Sequence, residues 1–184
     1  GSREVIAQAK GELIRCLPEN SVAILNEDDP YVKAMDSLAK GKTITYGIER
    51  NATCIGSHLR YKKDGIKFTC KCYDEVFDIF LPMIGEHNVY DALAAIVAGR
   101  VLGIKSNTIR KGLSEFTGTP MRQEIVPFED IVILNDAYNA NPSSMAEAIK
   151  ALGQLEGKRK IAMLGDMLEL GDYTEQAHRE IGQL

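Results

Sequence analysis

Asn135-Asp136-Ala137-Tyr138-Asn139-Ala140-Asn141-Pro142-Ser143-Ser144-Met145 decides how this chain is read. Immediately before it stand Ile131-Val132-Ile133-Leu134, four apolar residues of which three are β-branched, the composition of a buried strand. After it, Ser143 or Ser144 can cap a helix whose apolar face is Met145, Ala148, Ile149 and Leu152. The join carries Asp136, Tyr138, Asn139 and Asn141, four hydrogen-bonding side chains at the carboxyl end of a strand. In open α/β sheets that edge is where ligands bind. The stretch therefore predicts an α/β protein with a ligand loop between strand and helix.

Working outward, strands at 131–135 and 159–164 alternate with helices at 144–155 and 173–183. That is the first half of a doubly wound domain, short of the four or more strands usual in an open sheet, so a truncated domain is expected. Upstream, Thr117-Gly118-Thr119-Pro120-Met121-Arg122 has the Gly and Pro punctuation of a linker, which divides the chain into 1–119 and 120–184. The first part opens with a helix over 3–16, a strand over 21–25, a polar loop Asn26-Glu27-Asp28-Asp29-Pro30, a helix over 31–40 stopped by Gly41, and a strand over 42–46. This alternation marks a parallel sheet. Three strand-like runs follow at 52–61, 66–72 and 76–81, joined by Lys62-Lys63-Asp64-Gly65 with its Asp-Gly hairpin signal, and they predict a small antiparallel meander beside the parallel sheet. A helix from Gly85 to Leu102, ended by Gly103, and another over 106–115 capped by Ser106 complete this part.

The totals exclude several classes. A length of 184 residues allows one large domain or two small ones, and 45% hydrophobic with 26% charged residues is ordinary for a globular protein. A net charge of −4 with scattered basic residues gives no nucleic-acid footprint. No apolar run approaches the ~18 residues that cross a bilayer, and Gly1-Ser2-Arg3-Glu4 does not begin a signal peptide, so no membrane insertion and a cytoplasmic location are expected. Cys16 and Cys54 are isolated, no CxxC pair exists, and Cys70 and Cys72 are expected to point apart along their strand; reduced thiols and no zinc follow.

The segments GEHNVYDALAA, PMRQE, NDAYNANPSSM and KIAMLGDMLELG, in this order and spacing, resemble the Mur ligases, and IAQAKGEL followed by AILNEDDP fits the same family. The YNANP and GDMLELG strings are most similar to the branch that joins D-alanyl-D-alanine to UDP-N-acetylmuramoyl-tripeptide. Such a resemblance implies an ATP- and Mg2+-dependent amide ligase of peptidoglycan synthesis, acting through an acyl phosphate and monomeric. It implies a central ATPase domain for 1–119 and the first half of a Rossmann-like C-terminal domain for 120–184. A related ligase of folylpolyglutamate synthase type, another Mur ligase, or a non-catalytic nucleotide-binding domain are the alternatives. A phosphate loop needs Gly, four residues, then Gly-Lys-Ser/Thr. Gly41-Lys42-Thr43 lacks the first glycine, since Asp36 stands five before Gly41, and it opens a strand. The family's loop is expected upstream of residue 1, and these residues alone are expected not to hydrolyse ATP.

The resemblance also distributes roles. Lys10, once carbamylated, is expected to hold a magnesium ion, because a carbamate turns a cation into the oxygen ligand that Mg2+ prefers. His87 and Asn88 resemble the family's adenine corner, with helix capping as the alternative; Asp91 stands where the family has a second Asn, and when ionised it can only accept. Arg122 resembles the arginine that reaches the phosphates, and Asp136 the acid that holds the ribose hydroxyls. Tyr138, Asn139 and Asn141 are expected to face the reaction centre, with Lys10, Arg122 and Asn139 catalytic and Tyr138 on the nucleotide side. Asp166 and Glu169, between two glycines, are expected with Asn141 near the dipeptide, where an acid can meet its ammonium group. His58 and His178 are expected to be structural or exposed.

Overall fold

Strand β1 (Val22–Asn26) has a period of two that sorts its side chains into two cores. Ala23 and Leu25 are buried with Met35 and pack on Ala7, Ile14 and Val32, whereas Val22 and Ile24 pack against the larger core on the other face. The strand is therefore covered on both sides. Helix α1 (Arg3–Cys16), helix α2 (Pro30–Ala34) and a 3-10 turn (Met35–Leu38) supply one layer, and helix α3 (His87–Val101) the other. The computed structural model describes residues 2–62 and 64–184.

Strands β1, β2 (Lys42–Gly47), β3 (Cys54–Lys62), β4 (Gly65–Cys72) and β5 (Glu75–Leu81) form one five-stranded sheet in that spatial order. β1 and β2 pair in parallel, β2 and β3 in parallel, and β3–β4 and β4–β5 are antiparallel. The meander is thus continuous with the parallel pair. Of the Lys62–Gly65 hairpin signal, Lys63 lies outside the described residues; Lys62 pairs with Gly65, so Gly65 opens β4 instead of standing with Asp64 at the centre of the turn. Gly65 is required here: its φ is +149°, and a Cβ would stand 2.2 Å from the carbonyl oxygen of Leu81. Gly41-Lys42-Thr43 does open a strand.

Three expectations about local structure fail for identifiable reasons. Cys70 and Cys72 are two apart on one strand, so they share a face; both are fully buried, and Cys70 Sγ lies 3.5 Å from Cys54 Sγ. The neighbouring thiols of Cys70 and Cys72, and then burial, push the Cys54 thiol well up, which keeps it protonated. The helix expected over 31–40 is one α turn followed by a 3-10 turn. Ser106 does not cap helix α4 (Ser106–Ser114); its hydroxyl bonds Glu75 and accepts from Arg100 Nη1 at 3.1 Å.

Helix α3 supplies the main core. Val89, Ala92, Leu93, Ile96 and Val97 recur at helical spacing, are nearly or fully buried, and pack on Phe68, Cys70 and Ile79 of the sheet. Each of the valine, leucine and isoleucine side chains contributes roughly 1.5–3 kcal/mol by leaving water.

Beyond α4 the chain forms a hairpin of β6 (Glu124–Phe128) and β7 (Ile131–Asn135), then helix α5 (Pro142–Gln154), a 3-10 turn (Gly171–Tyr173) and helix α6 (Thr174–Ile181). β6 was not expected, because Pro127 and Glu124 break its apolar pattern. The strand expected over 159–164 is absent among the described residues. A strand exists through its ladder, and this segment has none: Ile161 and Met163 are 62% and 94% exposed. Met145, Met167, Ala177 and Ile181 form a separate small core that ties the loop after it to α5 and α6.

Candidate functional site

The two parts of the chain meet along a cleft of about 650 Å3. Its floor is apolar, with Leu81 and Met83 from the end of β5, Ala92 and Ala95 from α3, and Leu113 and Phe116 from the end of α4. Its polar wall draws His87, Asn88 and Asp91 from the first turns of α3, Arg122 and Gln123 from the hinge, Asp136 after β7, and Asn141, Ser144 and Glu147 from the start of α5. A slot of this size with one apolar side and a few converging polar groups fits a flat heteroaromatic ring carrying a polar extension.

The hinge aims its arginine through its backbone. Met121 and Gln123 both adopt left-handed conformations (φ +61° and +48°), so Arg122 stands on a tight turn whose N–H donates to the Thr119 carbonyl at 3.1 Å. The carboxylate of Asp136 accepts from the Gln123 backbone N–H at 3.1 Å, and the Tyr138 N–H donates to the Met121 carbonyl at 3.1 Å. These bonds clamp the turn to the end of β7. The Arg122 guanidinium then lies 4.2 Å from the centre of the Tyr138 ring, a cation–π stack that fixes its plane and leaves its N–H groups to bind an anion.

On α3, Asn88 Nδ2 donates to the Ile84 carbonyl at 2.6 Å and to His87 Nε2 at 3.0 Å. The amide nitrogen is therefore engaged, and Asn88 offers its oxygen alone. Since His87 Nε2 accepts, Nδ1 carries the proton; it is buried, 4.0 Å from Glu147 Oε2, and lacks a hydrogen-bond partner among the described residues. Gln123 Oε1 is likewise buried without one, and a Cβ on Gly85 would stand 2.9 Å from His87 Nδ1 and 3.3 Å from Gln123 Oε1. An unsatisfied donor and acceptor thus sit at the root of the cleft. His87 and Asn88 do not cap the helix by side chain; Glu86 takes the N-cap position.

Asn141 is the cap of α5, not Ser143 or Ser144. Its Oδ1 accepts from the Ser144 N–H at 2.9 Å, and Ser144 Oγ accepts from the Asn141 N–H at 3.0 Å, a reciprocal box with Pro142 at the first helical position.

Six of the expected site residues converge on the cleft: His87, Asn88, Asp91, Arg122, Asp136 and Asn141. Tyr138 touches it only through Arg122, and its ring is 62% exposed. Asn139, Asp166 and Glu169 are exposed and do not line it, and Lys10 is exposed on α1. Glu147 and Gln123 were not expected. Glu147 follows Ser143 and Ser144 by one helical turn, and that spacing was the available signal.

A nucleotide fits this donor set, with acceptors at Asn88, Asp91 and Asp136 and a cation at Arg122. Magnesium does not. Lys10 is a single donor that ligates only after carbamylation, and among the described residues no group of three or more His, Cys, Asp or Glu side chains could hold a metal ion.

The Mur ligase middle domain family matches residues 1–99, and the Mur ligase glutamate ligase domain family matches residues 121–184. The chain belongs to the Mur ligase family. Among curated Mur ligases, the UDP-N-acetylmuramoyl-tripeptide--D-alanyl-D-alanine ligase of Bacillus subtilis is 42% identical over 184 residues, covering 99% of this chain and 39% of that protein. The crystal structure of MurF from Acinetobacter baumannii superposes with a TM-score of 0.92 at 30% identity, over 99% of this chain and 40% of that one. MurF ligase from Thermotoga maritima, solved in complex with ADP, gives a TM-score of 0.88 at 25% identity, over 100% of this chain and 42% of that one. This Mur ligase chain thus spans about two fifths of the length of the relatives it matches. No helix among the described residues is long and apolar enough to cross a membrane.

Proposed function

We propose that this chain carries the adenosine-binding side of an ATP-dependent ligase that joins D-alanyl-D-alanine to UDP-N-acetylmuramoyl-tripeptide. The observation that carries the reading is the convergence of Asn88 and Asp91, Arg122, and Asp136, from three separated points of the sequence, on one cleft. The names of the relatives support the substrates, and the ADP held by the Thermotoga maritima relative supports the nucleotide. The boundary falls at 119/120, between an ATPase part and a ligase part.

In this reaction ATP phosphorylates the terminal carboxylate of the tripeptide, and the dipeptide amine attacks the acyl phosphate to give an amide and inorganic phosphate. The chain's own groups have defined tasks. The apolar floor takes the adenine ring, and Asn88 and Asp91 accept from its exocyclic amine. Asp136, with one oxygen engaged by the Gln123 N–H, accepts from ribose hydroxyls with the other. Arg122 neutralises charge on the transferring phosphoryl, which is the main protein contribution to such chemistry. Acyl phosphates hydrolyse, so approach of α5 to α3 across the cleft serves to exclude water. Asn139, Asn141, Asp166 and Glu169 face the dipeptide, and Lys10, once carbamylated, would supply one magnesium ligand. The enzyme works as a cytoplasmic monomer.

Phosphate release by the protein that contains these residues tests the assignment, measured with ATP, the UDP-linked tripeptide and one amine at a time. Release is expected with D-alanyl-D-alanine. Release with glutamate and a folate in place of these substrates would identify the folylpolyglutamate synthase type instead.

A further inference from the structure

His178, on α6, uses both ring nitrogens, and its partners leave one way to place the proton. Nδ1 lies 2.8 Å from the Thr174 carbonyl, which can only accept, so Nδ1 carries the hydrogen. Nε2 lies 3.0 Å from the backbone N–H of Met167, which can only donate, so Nε2 presents its lone pair. The bond to Met167 therefore exists only while the ring is neutral. Met167 is the anchor of the loop 165–171: its side chain is 2% exposed in the small core with Met145, Ala177 and Ile181. Asp166 stands immediately before it with a side chain 90% exposed, and Glu169 follows two residues later in a left-handed conformation (φ +62°). From 155 to 170 the chain has no regular hydrogen-bonded structure, so the place of both carboxylates depends on Met167 and, after Glu169, on Leu170, which packs on the same small core.

We propose that neutral His178 is the positioning residue of the 165–171 loop, holding Asp166 and Glu169 where they receive the ammonium group of the incoming dipeptide. The last clause rests on the ligase reading; the anchoring does not. A second proton on the ring sets Nε2–H against the Met167 N–H, two donors face to face, and the bond is lost. Asp166 Oδ1, 3.8 Å from Nε2, then becomes the ring's partner and is withdrawn from the dipeptide. The other charged groups near the ring are paired. On α6, Arg179 bonds Glu175 at 2.7 Å, and Glu180 accepts from Tyr173 at 2.5 Å and Gln176 at 2.8 Å. The α5 side contributes Met145, Ala146 and Ile149, all apolar.

The test uses the 184-residue chain and two variants. Long-range 1H–15N spectra should show the proton on Nδ1 of His178 at about pH 8. The exchange protection of the Met167 amide should fall by roughly tenfold in His178→Phe, the scale of one lost hydrogen bond. His178→Gln retains an acceptor and should stay protected. A proton on Nε2 in the unsubstituted chain, or protection in His178→Phe equal to that chain, overturns the proposal. Adding millimolar D-alanyl-D-alanine separates the two claims. Loss of protection in His178→Phe with no shift of the Asp166 and Glu169 signals on adding dipeptide supports the anchoring and overturns the loop's assignment to the dipeptide.

Discussion

Asp136 joins two functions in one carboxylate. One oxygen holds the left-handed turn at Gln123 by accepting its backbone N–H at 3.1 Å, and the group still lines the cleft. Asp136→Ala removes both the clamp and an acceptor for the ligand. Loss of a hydrogen bond to a charged group weakens binding by roughly tenfold or more. Isothermal titration with ATP should therefore give a dissociation constant raised by about that factor; an unchanged constant removes Asp136 from the site. Some of this residue-scale chemistry was legible before the fold was seen. Acceptor character at Asn88 and Asp91 and a forked cation at Arg122 follow from residue type and order. The engagement of Asn88 Nδ2 by Ile84 was not legible, nor were the buried, unpartnered His87 Nδ1 and Gln123 Oε1, because these depend on which atoms the folded backbone brings within 3 Å or so.

At the scale of elements, Asp28 ties three of them together. Leaving β1, its carboxylate accepts from the N–H groups of Ile48, Glu49 and Arg50 at 2.6, 3.0 and 2.8 Å, and from the Tyr90 hydroxyl of α3 at 3.0 Å. Burial raises the carboxyl's affinity for a proton, and the backbone N–H groups with the Tyr90 hydroxyl outweigh it, so the pKa is lowered from the ordinary aspartate value. A lowered folded-state pKa means stabilisation that is complete above the unfolded value of about 3.9 and is lost as pH falls through the lower, folded value. In urea unfolding, Asp28→Asn should be less stable than the unsubstituted chain near neutrality, with the gap closing below about pH 4. A gap independent of pH would rule out the carboxylate as its cause. Periodic elements were the legible ones: α1 falls on 3–16 as expected, and the three meander strands appear because apolar alternation survives in each. What failed depended on partners. The run 159–164 is strand-like in composition yet has no neighbouring ladder, and β6 pairs with β7 despite Pro127. Asn141-Pro142 was a readable start signal for α5, outranked by two serines that proved to lie inside the helix.

For the whole molecule, the consequence of the fold is that a cleft arises where two independently cored parts face each other across a strained turn. Glu147 and Gln123 belong to it only through that juxtaposition, which no local pattern in the sequence encodes. With no complete phosphate loop among the 184 residues, the chain should bind an adenosine nucleotide weakly and release no phosphate. The most direct test is a titration of the isotopically labelled chain with ATP, followed by amide chemical shifts. Saturable changes centred on Asn88, Asp91, Arg122 and Asp136, and saturating at roughly tenfold higher ATP in Asp136→Ala, are the expected result. Shifts confined to other surfaces, or none at millimolar ATP, would contradict the assignment of the hinge cleft to the nucleotide.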